Sequence, residues 1–218
     1  MAYDFSATQR ITSKYGGVNS VRSYAMWTRR EGNGGNAFGR VFDKRASSGG
    51  QTEVINNDTG SGNYAFSHQW TSGQARWDFA RPAANEWHHV LVTYNNGATT
   101  NNPIIYVDGV SVTVTQFTAD PTGSPVTTTD AFEIGNTSVA DRFWDGQLCD
   151  FAIWNRILTA KEATSIGADK FSPLFYPKDL VLYMPLIRSL VDYKNRAGTN
   201  SSAVVYRHPR IIYPRNFR

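Results

Sequence analysis

Residues 87–115, WHHVLVTYNNGATTNNPIIYVDGVSVTVT, decide the fold class. Trp87, His89, Leu91 and Thr93 alternate with His88, Val90, Val92 and Tyr94. A period of two in a β-branched and aromatic run marks a strand, because successive side chains of a strand point to opposite faces. A second run, Ile104 to Val107, reaches Asp108-Gly109 and resumes through Val110, Val112 and Val114. Asp-Gly supplies the two positive φ angles of a type I′ turn, so a tight antiparallel hairpin is expected there. Three consecutive antiparallel strands in the middle of the chain predict an all-β domain.

Outward from this stretch the same pattern continues in short runs. Residues 3–5, 10–13, 21–29, 38–44 and 51–55 read as strands, separated by the turn-rich stretches 32–36 and 47–50. Residues 56–62 read as a loop, and 63–70 with 73–80 as a second hairpin whose alternating aromatics are Tyr64, Phe66, Trp70, Trp77 and Phe79. A proline- and threonine-rich loop, 119–129, leads to a strand at 131–135. Thr159-x-x-Glu162 is a capping box, in which the Thr hydroxyl and the Glu carboxylate satisfy backbone N–H groups at a helix start; Gly167 is its stop. Residues 180–186 and 203–206 read as returning strands. Many short strands with turn signals between them predict a sandwich.

Composition agrees. The 218 residues allow one sandwich, or a sandwich with a tail. Charged residues make up 18% and aromatics 13%, the opposite of a disordered chain. The single cysteine, Cys149, excludes a disulfide framework and is expected as a buried, inert thiol. The net charge of +4 sits at the C-terminal end, where RHPRIIYPRNFR (207–218) holds Arg207, Arg210, Arg215 and Arg218 and no acid. Such an arm suits a subunit-docking strand or a solvated tail better than a nucleic-acid contact. No run approaches the roughly 18 apolar residues of a membrane span. Residues 2–12 lack the charged start and apolar core of a signal peptide, which predicts folding in the cytoplasm.

Four motifs in order carry a family resemblance: WHHV-x-V-TY, IYVDG-x-x-V, Phe132 to Asn136 (FEIGN), and GQLCDFAIWNRILTAKE from Gly146 to Glu162. Across roughly residues 2 to 167 the chain resembles the laminin-G-like, concanavalin A-like lectin and glucanase jelly roll. The resemblance implies a two-sheet antiparallel jelly-roll sandwich over residues 1–186, one short helix, and a C-terminal extension over 187–218. The closing LVLYMPL, SLVDYKNRAG and HPRIIYP segments resemble those of phage-encoded members. Relatives of this class also hold a structural calcium ion at the sandwich edge, which carries over to Asp4 and Asp150; the alternative for Asp150 is a backbone hydrogen bond across the sheet.

Catalysis is not expected. Glycoside hydrolysis needs two carboxylates flanking the bond, and none of the five glutamates has an acid two positions away on a strand; Glu133 is followed by Gly135 where the second would stand. His88 and His89 are adjacent on a strand and face opposite sides, so they cannot share an ion. His68 and His208 have no evident partner in the sequence. Sugar binding would use exposed aromatics beside hydrogen-bonding side chains, and Trp70, Trp77, Trp144 and Tyr64 are available, with the loops 32–36, 56–63 and 95–102 as a rim. The competing expectation is that at least four of the six tryptophans are core. The functional expectation is a non-enzymatic bacteriophage virion surface protein, in capsid decoration or as a tail or fibre adhesion module, that binds glycan. It would associate with its own copies or other virion proteins and with cell-surface polysaccharide. The alternative is a bacterial carbohydrate-binding module; a glycoside hydrolase ranks below both.

Overall fold

The Asp108-Gly109 turn forms as the sequence predicts, with φ angles of 49° and 80°, and the rest of the sandwich is assembled around it. The computed structural model describes residues 2–46, 50–186, 190–201 and 203–214. Its strands are β1 (Ala2–Phe5), β2 (Arg10–Thr12), β3 (Val21–Arg30), β4 (Phe38–Arg45), β5 (Gln51–Asp58), β6 (Asn63–Trp70), β7 (Gly73–Ala80) and β8 (Trp87–Asn95). They continue as β9 (Ile104–Val107), β10 (Val110–Ser111), β11 (Val114–Gln116), β12 (Phe132–Ile134), β13 (Gly146–Trp154), β14 (Leu180–Met184), β15 (Thr199–Ser201) and β16 (Val204–Tyr206), with helix α1 (Ala160–Gly167) between β13 and β14. The first sheet runs β10-β9-β8-β3-β13-β1-β16, with β14 on the far part of β13; the second runs β11-β7-β6-β5-β4-β12-β2-β15. This is the expected two-sheet antiparallel jelly-roll sandwich with one helix.

Register explains the core. Across the second sheet, Trp77, Phe66, Ile55, Phe42, Ile134 and Ile11 stand side by side on neighbouring strands. They meet Tyr24, Met26, Val90, Val92 and Phe151 of the first sheet in one buried cluster, each such side chain contributing about 1.5–3 kcal/mol by leaving water. Polar groups sit inside this layer around Glu53. Glu53 accepts from Arg22 Nη1 at 2.8 Å and from the Tyr24 hydroxyl at 2.7 Å. Lys44 donates to the Gly17 carbonyl at 2.7 Å, with its ammonium 4.8 Å from the Phe132 ring centre. Burial pushes the Glu53 carboxyl up, but Arg22 and Lys44 outweigh it and hold it below its usual value.

The outer face of the first sheet is also apolar. Ala25, Leu91, Tyr106, Ala152 and Trp154 pack under Leu158, Ala163 and Ile166 of the helical segment. The capping box forms: Thr159 Oγ1 accepts from Glu162 N, and Glu162 Oε2 from Thr159 N at 2.8 Å. The hairpin turn and the helix meet backbone to backbone. A Cβ on Gly109 would lie 2.8 Å from Thr164 Cα, and one on Gly167 2.4 Å from Gly109 N, so both positions require glycine.

Three expectations need correction. The third run of the central stretch is not one strand. After Pro103, β9 offers only four residues for pairing, so Val110–Ser111 pairs with it briefly and Val114–Gln116 crosses to β7 in the other sheet. The loop expected at 56–62 is strand as far as Asp58, because distant partners hold its polar side chains: Asn57 Nδ2 donates to Asn33 O at 3.0 Å and Asp58 accepts from Arg76. The segment from residue 187 is no appendage over its described part, since β15 pairs with β2 and β16 with β1, one strand in each sheet.

Candidate functional site

The outer face of the second sheet is polar. Arg76, Ser67, Val54, Asp43, Glu133, Thr12 and Thr199 follow one another in register across seven strands, the outward complement of the apolar inner row. Thr115, Asp78, Ala65, Asn56 and Arg40 form the next row. Charges on this face are neutralised in groups. Arg76 binds Asp78 with Nε–Oδ1 at 2.7 Å and Nη2–Oδ2 at 3.1 Å, and also reaches Asp58 two strands away. Asp43 lies between Arg40 Nε at 3.2 Å and Arg45 Nη2 at 3.3 Å. Burial pushes Arg40 down to about 10 despite Asp43.

Two features on this face offer contacts to a ligand. At one end, Arg45, Asp130, Glu133 and Ser138 line a pocket of about 360 Å³ with Ala131 and Val139, a volume in the range that takes a small ligand. Glu133 Oε2 accepts from Thr12 Oγ1 at 2.6 Å, with Arg10 Nε at 3.6 Å, and burial pushes its carboxyl up. Val139, 71% exposed, gives the pocket an apolar lip. At the other end, Phe117 is 62% exposed, with the Arg76 guanidinium 4.4 Å from its ring centre. A carboxylate, a guanidinium and an exposed ring are the groups with which a protein holds a polyhydroxylated ring, by hydrogen bonds to hydroxyls and contact with its apolar side.

The aromatic residues expected to bind sugar are elsewhere. Trp70, Trp77, Trp144 and Tyr64 are at most 2% exposed. Trp77 stacks on Phe66 at 5.9 Å and donates Nε1–H to Asn102 Oδ1 at 2.7 Å, while Tyr64 meets Trp144 edge-on at 5.8 Å. Tyr64, Trp70 and Trp77 alternate onto the inner face of β6 and β7, and Trp144 packs on Tyr64 from the segment before β13, so none of these four rings is open to a sugar. The competing expectation holds: Trp27 and Trp154 are buried too. Phe117 was missed because it follows the end of β11, outside any alternating run; its signal is a lone aromatic in a stretch of Gln, Thr, Asp and Pro.

The structure does not bring Asp4 and Asp150, the residues expected to hold calcium, together. Asp4 stands opposite Gln147, whose side-chain amide it accepts from. Asp150 lies three residues further along β13, about 10 Å away at the rise of a strand. It occupies a bulge with φ 54°, and its Oδ1 accepts from the hydroxyls of Tyr183 and Tyr213, the latter at 3.4 Å. Burial pushes its carboxyl up to about 7. Among the described residues no three His, Cys, Asp or Glu side chains gather for a metal.

Arg207 and Arg210 are exposed; Arg215 and Arg218 lie outside the described residues. Just beyond Arg210 the chain docks on its own body: Ser172 N donates to Ile212 O at 2.8 Å, Ile212 N to Lys170 O at 2.9 Å, and Ile211 is buried. His88 and His89 face opposite sides. His88 Nδ1 lies 2.7 Å from Asp108 Oδ2, and His89 is buried edge-on to Trp27 and pushed down to about 4 by burial. His68 does have a partner, Asn96, at 3.1 Å, which only the folded chain brings near. Cys149 is buried and its thiol is pushed far above its usual value by burial. Among the described residues no helix is long and apolar enough to cross a membrane.

A laminin-G-type family model, described as the concanavalin A-like lectin/glucanases superfamily, matches residues 6–164. No curated protein matches the chain. Among solved structures, a candidate carbohydrate-binding protein from Bacteroides ovatus is similar at a TM-score of 0.63 and 18% identity, over 93% of this chain and 58% of its own. The heptameric SAP-like pentraxin of Limulus polyphemus is similar at 0.58 and 12% identity, over 76% of this chain and 81% of its own. Domains LG4-5 of the mouse laminin α1 chain are similar at 0.52 and 11%, over 70% and 40%. The chain spans under two thirds of the Bacteroides protein.

Proposed function

The chain belongs to the concanavalin A-like lectin/glucanases superfamily, and from that premise we propose that it is a non-enzymatic carbohydrate-binding domain whose ligand lies on the outer face of the second sheet. The observation that carries this reading is the pocket of about 360 Å³ at Glu133, open on a face that no helix covers. The Bacteroides protein, named for carbohydrate binding, supports the choice of ligand class.

Register does bring two carboxylates together, Glu133 and Asp43 on neighbouring strands, with Cβ atoms about 5 Å apart. A hydrolase needs both to be reachable. Asp43 is fully buried between its two arginines, so it has no access to a sugar and Glu133 alone of the two lines the pocket. The experiment is affinity electrophoresis in gels carrying bacterial polysaccharides, run with wild type and Glu133→Gln, beside a reducing-sugar assay. Retention by wild type that the variant loses, without sugar release, is the expected result. Retention unchanged in Glu133→Gln sinks the site, and released sugar sinks the non-enzymatic reading.

The finer proposal places the domain on the surface of a bacteriophage particle, where glycan binding serves attachment to a host envelope, with its own copies or other virion proteins as neighbours. Its support is the likeness of the closing segments to those of phage-encoded members. Detection of the chain in purified particles tests it, and its presence only in uninfected bacterial fractions favours a bacterial binding module instead.

A further inference from the structure

A larger cavity lies on the opposite side of the molecule. Residues 156–162, entering α1, and residues 175–178, returning toward β14, line an open cleft of about 590 Å³, well inside the range of ligand clefts. The cleft is held rigid by the end of β13. Trp154 Nε1 donates to Tyr176 O at 2.7 Å and Arg156 Nε to Lys178 O at 3.1 Å, so both walls are fastened to one strand end. Arg156 also grips Glu162 with two bonds, Nη1–Oε2 at 2.9 Å and Nη2–Oε1 at 2.6 Å. Arg156 holds the Glu162 carboxyl down at about 2. These two charges therefore cancel.

Lys161 and Lys178 remain, one on each wall. Neither makes an ion pair among the described residues. Between them Phe175, 41% exposed and leaning on Phe171 at 5.0 Å, presents a ring with Tyr176 and Pro177 beside it. A neutral ligand would gain nothing from the two ammonium groups, and a bare inorganic anion would gain nothing from the ring wall. A ring that carries an anion satisfies both.

We infer that this cleft binds an acidic saccharide, a sugar ring bearing a carboxylate or a sulfate, with the ring against Phe175 and the anion between Lys161 and Lys178. The inference rests on the carbohydrate-binding reading and adds to it a second site and a ligand class. Both lysines are exposed residues of the surface, so the variants fold as the parent does.

The test is titration calorimetry of the full chain with polygalacturonate, dextran sulfate and neutral dextran at two salt concentrations. Wild type is expected to bind an acidic polymer and to weaken with salt. Lys161→Gln with Lys178→Gln is expected to lose about tenfold in affinity, as two solvent-exposed ion contacts imply, together with most of the salt dependence. Phe175→Ala is expected to lose several-fold with the salt dependence intact. Binding of polygalacturonate alone identifies the carboxylate as the anion, and of dextran sulfate alone the sulfate. The inference is overturned if neither acidic polymer binds, or if the double lysine variant binds like wild type while Arg207→Gln with Arg210→Gln does not. Glu133→Gln must leave acidic binding unchanged. If it abolishes neutral and acidic binding alike, one site serves both and the cleft is no site. If the cleft binds and Glu133→Gln has no effect on any glycan, the face-bound reading fails and the cleft stands.

Discussion

The two sheets have the same number of strands and share one core, yet their outer faces are unlike. On the first sheet the outward positions are Ala25, Leu91, Tyr106 and Trp154, roofed by α1. On the second they are Ser67, Asp43, Glu133 and Thr12, with no helix over them. The difference follows from what covers each face. Under the helical roof Val90-Leu91-Val92 runs apolar without a break, whereas on the face without a roof the outward positions carry polar side chains that are buried against one another, as Ser67 beside Phe66 and Asp43 between Arg40 and Arg45 show. Loss of alternation marks the roofed sheet, and its persistence marks the face left for a ligand.

Four substitutions probe this contrast. Trp154→Ala, under the roof, is expected to cost about 3–5 kcal/mol as a cavity in a packed layer, read as a lowered urea midpoint. A loss below about 1 kcal/mol would show that the helix only rests on the sheet. Asp150→Asn, on the same sheet, tests the sign of a buried acid. Burial raises its pKa to about 7, above the 3.8 of a solvated aspartate, so the stability it contributes is complete below about pH 4 and is lost as pH rises through 7. The variant, neutral throughout, is therefore expected to gain on wild type between pH 5 and 8 by about 2–4 kcal/mol, at ~1.4 kcal/mol per pKa unit. Thermal melts across that window check it, and parallel pH profiles count against the buried acid. Thr159→Ala removes the cap of the roof helix and is expected to cost about 1 kcal/mol, seen as faster amide exchange at Ala163 and its neighbours. Phe117→Ala, on the open face, is expected to change stability by less than about 0.5 kcal/mol while weakening retention on a glycan gel. A stability loss as large as that of Trp154→Ala would mean that this face, too, is structural.

Legibility in the sequence followed the range of the cause. The hairpin at Asp108-Gly109 and the Thr159 cap are set by residues within three positions of each other, and both form as read. The crossing of Val114 to β7 depends on how many residues β9 offers, which no local pattern encodes. The binding residues failed for a related reason. Tryptophan and tyrosine on alternating strands identify one face, but only the register of β4 to β7 decides that it is the inner one and that Arg76, Asp78 and Asp43 share the other. The pocket at Glu133 was further from reach, since its walls come from residues 45–46, 130–133 and 138–139. The cleft at Lys161 was half visible: the cap and Glu162 were read, but Arg156 and Lys178 meet them only through β13.

Strand order has a last consequence, for how copies of this chain meet at high concentration. The strands that end the two sheet paths are β10, β16, β11 and β15, of two, three, three and three residues. A rim that short presents too few free N–H and C=O groups to template another chain, which is how β proteins resist polymerising edge to edge. The long strands β3 and β13 lie in the middle with a partner on each side. Growth by sheet continuation is thus disfavoured at these four ends, which favours assembly of these domains through loops and broad faces.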